Sequence, residues 1–138
     1  MIYVYNKKID DFSSKENNYE IGRPYPLCNP YTHLDIEKTK ATYQVKSREE
    51  SLKEYSHYFD VMYGSNCIFT KAVDEIYEKY KNGEDIYLAC WCKRHSVNSE
   101  AYTKDNEIIC HGDIIAEKLR KRLLKEKFKQ LKNEQDII

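Results

Sequence analysis

The residues best suited to chemistry fall in two short runs, ACWCKRH at 89–95 and CHGD at 110–113. Cys90 and Cys92 lie two apart in an apolar, extended stretch, which puts both thiols on one face and Trp91 on the other. Cys110 and His111 stand just before an expected helix start. Gly112 there permits a close backbone approach, and Asp113 is a suitable N-cap. A helix N-terminus favours a thiolate, because backbone N–H groups and the helix dipole stabilise the anion. The same N–H groups can hold a phosphate or carboxylate, and a neutral imidazole beside them can exchange a proton.

Three chemistries follow from these residue types. In the first, Cys110 or Cys92 is a catalytic thiolate and His111 its proton-transfer partner. The helix terminus around Gly112 and Asp113 then cradles an anionic small molecule, and no cofactor is needed. In the second, Cys90, Cys92, Cys110 and His111 hold a tetrahedral zinc ion. Against zinc stand the tight Cys-x-Cys spacing and the adjacent Cys–His pair. In the third, Cys90 belongs to the core and the others fill small sites near a turn.

A third run, IGRPYPLCNPY at 21–31, offers a partner for that site. Pro24, Pro26 and Pro30 restrict their own φ angles and bias their predecessors toward extended shapes. The result is a stiff loop with few hydrogen bonds of its own. Gly22 allows the backbone to pass close to a ligand, and Arg23 is the side chain worth fixing, since a guanidinium pairs bidentately with phosphate or carboxylate. Asn29 can read a polar group. Cys28 is either a small filler or a further sulfur at the same site.

The elements that must position these residues are legible in outline. IYVYN at 2–6 reads as a strand, and 7–46 as a long polar segment holding short elements or a function. Ser47 with Glu50 fits a capping box, and Leu52, Tyr55, Phe59 and Met62 give the following helix one apolar face. A second helix is expected from Thr70 to the Asn82–Gly83 stop, with Val73, Ile76, Tyr77 and Tyr80 inward. Cys67, before it, reads as core. IYLACWC at 86–92 is apolar throughout, as suits a central strand covered on both faces. A last helix from about Ile114 packs through Ile115, Leu119, Leu123, Leu124 and Phe128. The pattern predicts one small layered α/β domain over 1–132, with a mainly parallel, Rossmann-like sheet flanked by helices and a frayed tail at 133–138. Ligands in such folds gather beyond the carboxyl ends of the strands, where Cys92 falls.

Composition narrows the classes. The chain has 138 residues, 33% of them charged and balanced to zero net charge, which argues against a general polyanion binder. The basic run KLRKRLLKEK is broken by Glu117 and Glu126 and lacks interleaved aromatics, so nucleic acid is weakly supported. No apolar stretch is long enough to cross a membrane, and MIYVYNKKIDDF lacks the form of a secretion signal. Five cysteines, an odd number, suit free thiols in the cytoplasm better than a disulfide framework. His33, His57 and His95 have no fixed role, and nothing marks an oligomeric interface.

IGRPYPLCNPY, KSREESLKEY, LACWCK and CHGDIIAEKL together resemble the DUF4326 family of small phage and bacterial proteins. The resemblance covers roughly residues 2–125 and rests on Gly22, Arg23, Asn29, Pro30, Arg48, Cys90, Trp91, Cys92, Lys93, Cys110, His111 and Gly112. It implies that Arg48, ahead of a helix, belongs to the ligand-binding set. It also implies that 94–109 is an insertion, since Arg94 stands where the family has proline and the link to Cys110 is long. That insertion would be a lid, a partner-binding loop or neutral. The family implies no reaction. The expectation is a protein that binds a nucleotide-like or phosphorylated small molecule, with or without acting on it through the Cys/His site. The alternatives are an accessory protein that sequesters a ligand or binds a host protein, and a zinc-stabilised interaction module.

Overall fold

A computed structural model describes residues 1–34, 37, 41–92, 94–102 and 108–137. Lys93 of the family pattern, residues 103–107 of the expected insertion, and Ile138 of the tail lie outside this set. The elements in order are β1 (Ile2–Asn6), β2 (Asn18–Glu20), β3 (Tyr31–Thr32), β4 (Tyr43–Gln44), α1 (Arg48–Met62), α2 (Cys67–Lys81), β5 (Ile86–Cys90) and α3 (His111–Ile137).

β5 is the central strand, with β1 on one side and β2 on the other, both parallel to it. The pairing sets Ile2 opposite Ile86 and Asn6 opposite Cys90. Strand alternation sends Ile2, Val4, Ile86, Leu88 and Cys90 into one core with Tyr55 and Phe59 of α1, Phe69, Val73 and Ile76 of α2, and Ile115 and Leu119 of α3. The opposite residues, Tyr3, Tyr5 and Tyr87, are covered by aromatics from loops instead: Phe12 meets Tyr5 and Tyr87, and Tyr102 meets Tyr3. The protein is a small α/β fold with a mostly parallel sheet. Its likeness to a Rossmann domain is loose, because the helix core lies on one face and tyrosines close the other. Residues 7–46 contain β2 and the parallel β3–β4 pair, too short to show as periodicity.

The helix ends follow local chemistry. Ser47 caps α1 by accepting from the Glu50 N–H at 3.1 Å, and the Glu50 carboxylate returns to the Lys46 N–H at 3.1 Å. α2 starts at Cys67, three residues before the expected Thr70, because Asn66 caps it by accepting from Phe69 N–H at 2.9 Å. That places Cys67 on the surface rather than in the core. Gly83, at φ 87°, makes the left-handed stop after α2.

α3 begins at His111 and is helical through Ile137. Ile115 and Leu119 are buried, but Leu124 and Phe128 are 55% and 68% exposed. The reason is length: 27 residues make a helix about 40 Å long, whereas five-residue strands span about 17 Å. The second half of α3 runs past the sheet it packs on. Its basic face is ion-paired in part, with Lys118 on Asp60, Lys121 on Glu117 and Arg122 on Asp74.

Among the described residues of the expected insertion, 94–102 act as a strap along β1. The Tyr102 hydroxyl accepts from Val4 N–H and donates to Val4 C=O, each at 3.0 Å, satisfying the backbone of an edge strand. Ser96 and the Val97 N–H both bond the Asp10 carboxylate. No helix among the described residues is long and apolar enough to cross a membrane.

Candidate functional site

Beyond the carboxyl end of β5 lies a cavity of about 220 Å³. Its walls come from three places: Gly22, Arg23, Asn29 and Tyr31 to His33 of the proline-rich loop and β3; Arg48, Ser51 and Leu52 of the first turns of α1; and Cys90 to Cys92 with Ile109 to His111. The stiff loop and the CHG turn therefore face one space. Among the described residues no aspartate or glutamate lines it, while two arginines do.

The loop is held by its own polar groups. Tyr25 N–H bonds Gly22 C=O at 2.9 Å and Cys28 N–H bonds Tyr25 C=O at 3.0 Å, so the run is two successive turns rather than bare extended coil. Arg23 Nε donates to Asn29 C=O at 2.9 Å, and a terminal nitrogen donates to Tyr31 C=O at 3.0 Å. Asn29 is buried and spent within the protein. It donates to Ser51 Oγ at 2.9 Å and accepts from Tyr31 N–H at 2.9 Å. It therefore positions the loop against α1 while also lining the cavity. Arg48 differs: it is exposed on the first turn of α1, and its guanidinium has no hydrogen-bond or ion-pair partner among the described residues. Its charge reaches Cys92, and that of Arg23 reaches His111, in each case as a lesser influence on the group's protonation.

Gly112 and Asp113 sit beneath the cavity rather than on its wall. A Cβ on Gly112 would fall 2.6 Å from Val4 Cγ1 and 2.8 Å from Ile21 Cδ1, so the glycine lets α3 close on the sheet. Asp113 is the third residue of α3, not its N-cap, because the helix starts at His111. Its carboxylate accepts from Ile109 N–H at 2.9 Å and Cys110 N–H at 3.0 Å, reaching back over the helix start. It also pairs with Arg94 at 2.8 Å, both side chains buried. Arg94 donates further to Val4 C=O at 3.0 Å and to Cys110 Sγ at 3.3 Å. Arg94 is the buried cation that ties the thiol turn to β1, and its place in a polar run (KRH) hid this. Gly112 and Asp113 thus carry structural contacts and do not line the cavity.

The sulfurs of Cys90, Cys92 and Cys110 lie within 4.8 Å of one another. β5 ends at Cys90, so strict alternation stops there, and Trp91 joins the cavity wall instead of facing away. These three cysteines could hold a metal ion. His111 does not join them: its Nε2–H donates to Ile21 C=O at 2.6 Å, fixing the tautomer. Cys28 is outside both the sulfur cluster and the cavity wall, so it is not a further sulfur at the site.

Electrostatics hold the resting groups neutral. Hydrogen bonding with Cys90, then burial, pushes Cys110 up to about 12. Cys92 is raised to about 11 by its bond with Cys110 and by burial. In Cys90 the bond with Cys110 pulls down, but Cys92 and burial outweigh it and bring it to about 11. Burial lowers His111 to about 4, with Arg23 adding to the effect and the Ile21 carbonyl opposing it. Near neutral pH the site thus has three thiols, a neutral imidazole and two guanidinium charges. Of the other histidines, His33 lines the cavity, whereas His57 and His95 are exposed. Tyr31, Thr32, Ser51, Leu52, Trp91 and Ile109 complete the wall without having been marked by type or spacing.

Fold and site together define a small parallel-sheet α/β protein with a cationic, thiol-floored cavity. The chain belongs to the DUF4326 family, described as a domain of unknown function, whose family model matches residues 4–121. Neither the curated proteins nor the solved structures gave a match.

Proposed function

We propose that this protein binds a phosphorylated, nucleotide-scale small molecule in the cavity beyond β5. One observation carries the reading: Arg23 and Arg48 converge, with the first turns of α1 and α3, on a space whose walls, among the described residues, hold no carboxylate. In a chain of zero net charge, that local excess selects an anion. Arg23 is pre-set by two carbonyls, so little order is lost when a ligand arrives. Neutral thiols and a neutral imidazole favour binding over nucleophilic catalysis in the resting state. A catalytic step by Cys110, Cys92 or His111 would need the ligand itself to shift their protonation. Unpaired cysteines suit a reducing compartment such as the cytoplasm.

A thermal-shift screen with nucleoside monophosphates, sugar phosphates and their unphosphorylated counterparts tests this. At about one hundred times Kd a ligand adds roughly 2.7 kcal/mol of stability, a readily measured rise in Tm. Stabilisation by phosphorylated compounds alone is expected. Equal responses with and without the phosphate would defeat the reading.

The three converging sulfurs favour a second reading, a zinc ion on Cys90, Cys92 and Cys110 with its fourth position open to the cavity. It requires one equivalent of zinc in protein purified without chelator, and unfolding at lower denaturant once the metal is stripped. Absence of both effects removes it.

A further inference from the structure

The indole of Trp91 is 57% exposed at the cavity mouth. It is the chain's single tryptophan, and the fold makes little use of it, whereas Tyr5, Tyr55 and Tyr77 are fully buried. A large aromatic left open beside a cationic cavity is a surface for a ligand with a flat face. Gly22 keeps it accessible: a Cβ there would already touch the indole, at 3.6 Å from Cδ1 and 3.7 Å from Nε1. The indole N–H has no protein partner among the described residues. Lys7 and Lys8 set their ammonium groups over the ring, 4.8 and 5.8 Å from its centre, and Lys7 is also paired with Glu20 at 2.7 Å, so a flat ligand stacks on the part of the indole they leave exposed.

Size points the same way. Small-molecule sites usually enclose about 300–1,000 Å³. A cavity of about 220 Å³ takes a phosphate and a sugar, and leaves an attached ring at the opening.

We propose that Trp91 is the stacking surface for the base of a nucleoside monophosphate, whose phosphate lies between Arg23 and Arg48. This rests on the anion-binding reading above and adds the base. The two fail differently. Base–aromatic stacking changes affinity by roughly ten-fold or more. A sugar phosphate without a base forgoes that gain, whatever the anion site does.

The test uses the full chain, with emission of the single tryptophan as one signal and calorimetry as the other. The probes are the four common ribonucleoside monophosphates, a pentose phosphate and inorganic phosphate. At least one nucleotide is expected to quench Trp91 saturably and to bind about ten-fold tighter than the pentose phosphate. Trp91→Leu should cost that nucleotide about ten-fold by calorimetry and leave the pentose phosphate unchanged, with Trp91→Phe restoring most of the loss. Trp91 is exposed, so the variants should fold, which circular dichroism verifies. Equal affinity for nucleotides and pentose phosphate, with no quenching, would overturn the stacking role while keeping the anion site. No binding of any phosphate compound would overturn both.

Discussion

Replacing Arg94 with methionine should be among the most damaging single changes to the fold, although the residue lies in a polar loop. The Arg94–Asp113 pair is 2.8 Å apart, with side chains 2% and 11% exposed. Val4 C=O would keep the Tyr102 hydroxyl at 3.0 Å, so no carbonyl is orphaned and the cost falls on the carboxylate. Removing one partner of a buried ion pair costs about 3–5 kcal/mol. Asp113 would still accept from two backbone N–H groups, which sets the loss near the low end, about 3 kcal/mol. With a urea slope of about 2 kcal/mol/M, the unfolding midpoint should fall by roughly 1.5 M. Adding Asp113→Asn should restore about 1–2 kcal/mol, because no unpaired charge then remains buried. A midpoint change below about 0.5 M for Arg94→Met would refute the reasoning, since it would mean that water already solvates Asp113.

Three other outcomes follow from the same geometry. Gly112→Ala should lower stability by about 1–3 kcal/mol, roughly 4–12 °C in Tm, because its Cβ would press on Val4 and Ile21, whereas Gly22→Ala should leave Tm nearly unchanged by scanning calorimetry. His111 titrates at about 4 in the folded chain and near its ordinary value when unfolded, so the unfolded state binds the extra proton between them. Stability should therefore be full above about pH 6.5 and decline by roughly 3 kcal/mol toward pH 4, and His111→Gln should flatten that slope in urea titrations. In site-resolved alkylation at about pH 7.5, exposed Cys67 should react well before Cys90, Cys92 and Cys110, and rapid labelling of Cys110 would contradict its protonated, buried state.

Much of the fold could be read from the chain, and the limits have physical causes. The apolar run at 86–92 announced a central strand because both its faces are covered. It could not say that tyrosines rather than helices cover one of them, since an apolar run looks the same under either layer. Ser47 and Gly83 marked helix ends through their caps. Asn66 was passed over for Thr70 although asparagine caps as well, and Cys67 was misplaced with it. Leu124 and Phe128 keep helical spacing past the point where the sheet ends, so periodicity overstated the buried face. At the site, Arg23, Arg48, Cys92, Cys110 and His111 share one cavity. Asn29 lines it too while tying the loop to α1, whereas Gly112 and Asp113 lie off its wall, engaged in packing and internal hydrogen bonds. Arg94 escaped notice because a buried arginine and a surface arginine look alike in sequence. Only the long-range pairing with Asp113 distinguishes them. Trp91 was assigned to the wrong side by alternation that ceases one residue earlier, at Cys90.

Arg48 gives the most direct test of the central claim, because it lines the cavity, carries charge and has no hydrogen-bond or ion-pair partner among the described residues. Calorimetric titration of the best phosphorylated ligand should show Arg48→Met binding at least about ten-fold more weakly than the unaltered chain, since a charge-assisted hydrogen bond contributes about 1.5–3 kcal/mol. Its Tm without ligand should match that of the unaltered chain. Undiminished affinity in a folded Arg48→Met protein would show that the anion, if bound, is held somewhere other than the cavity beyond β5.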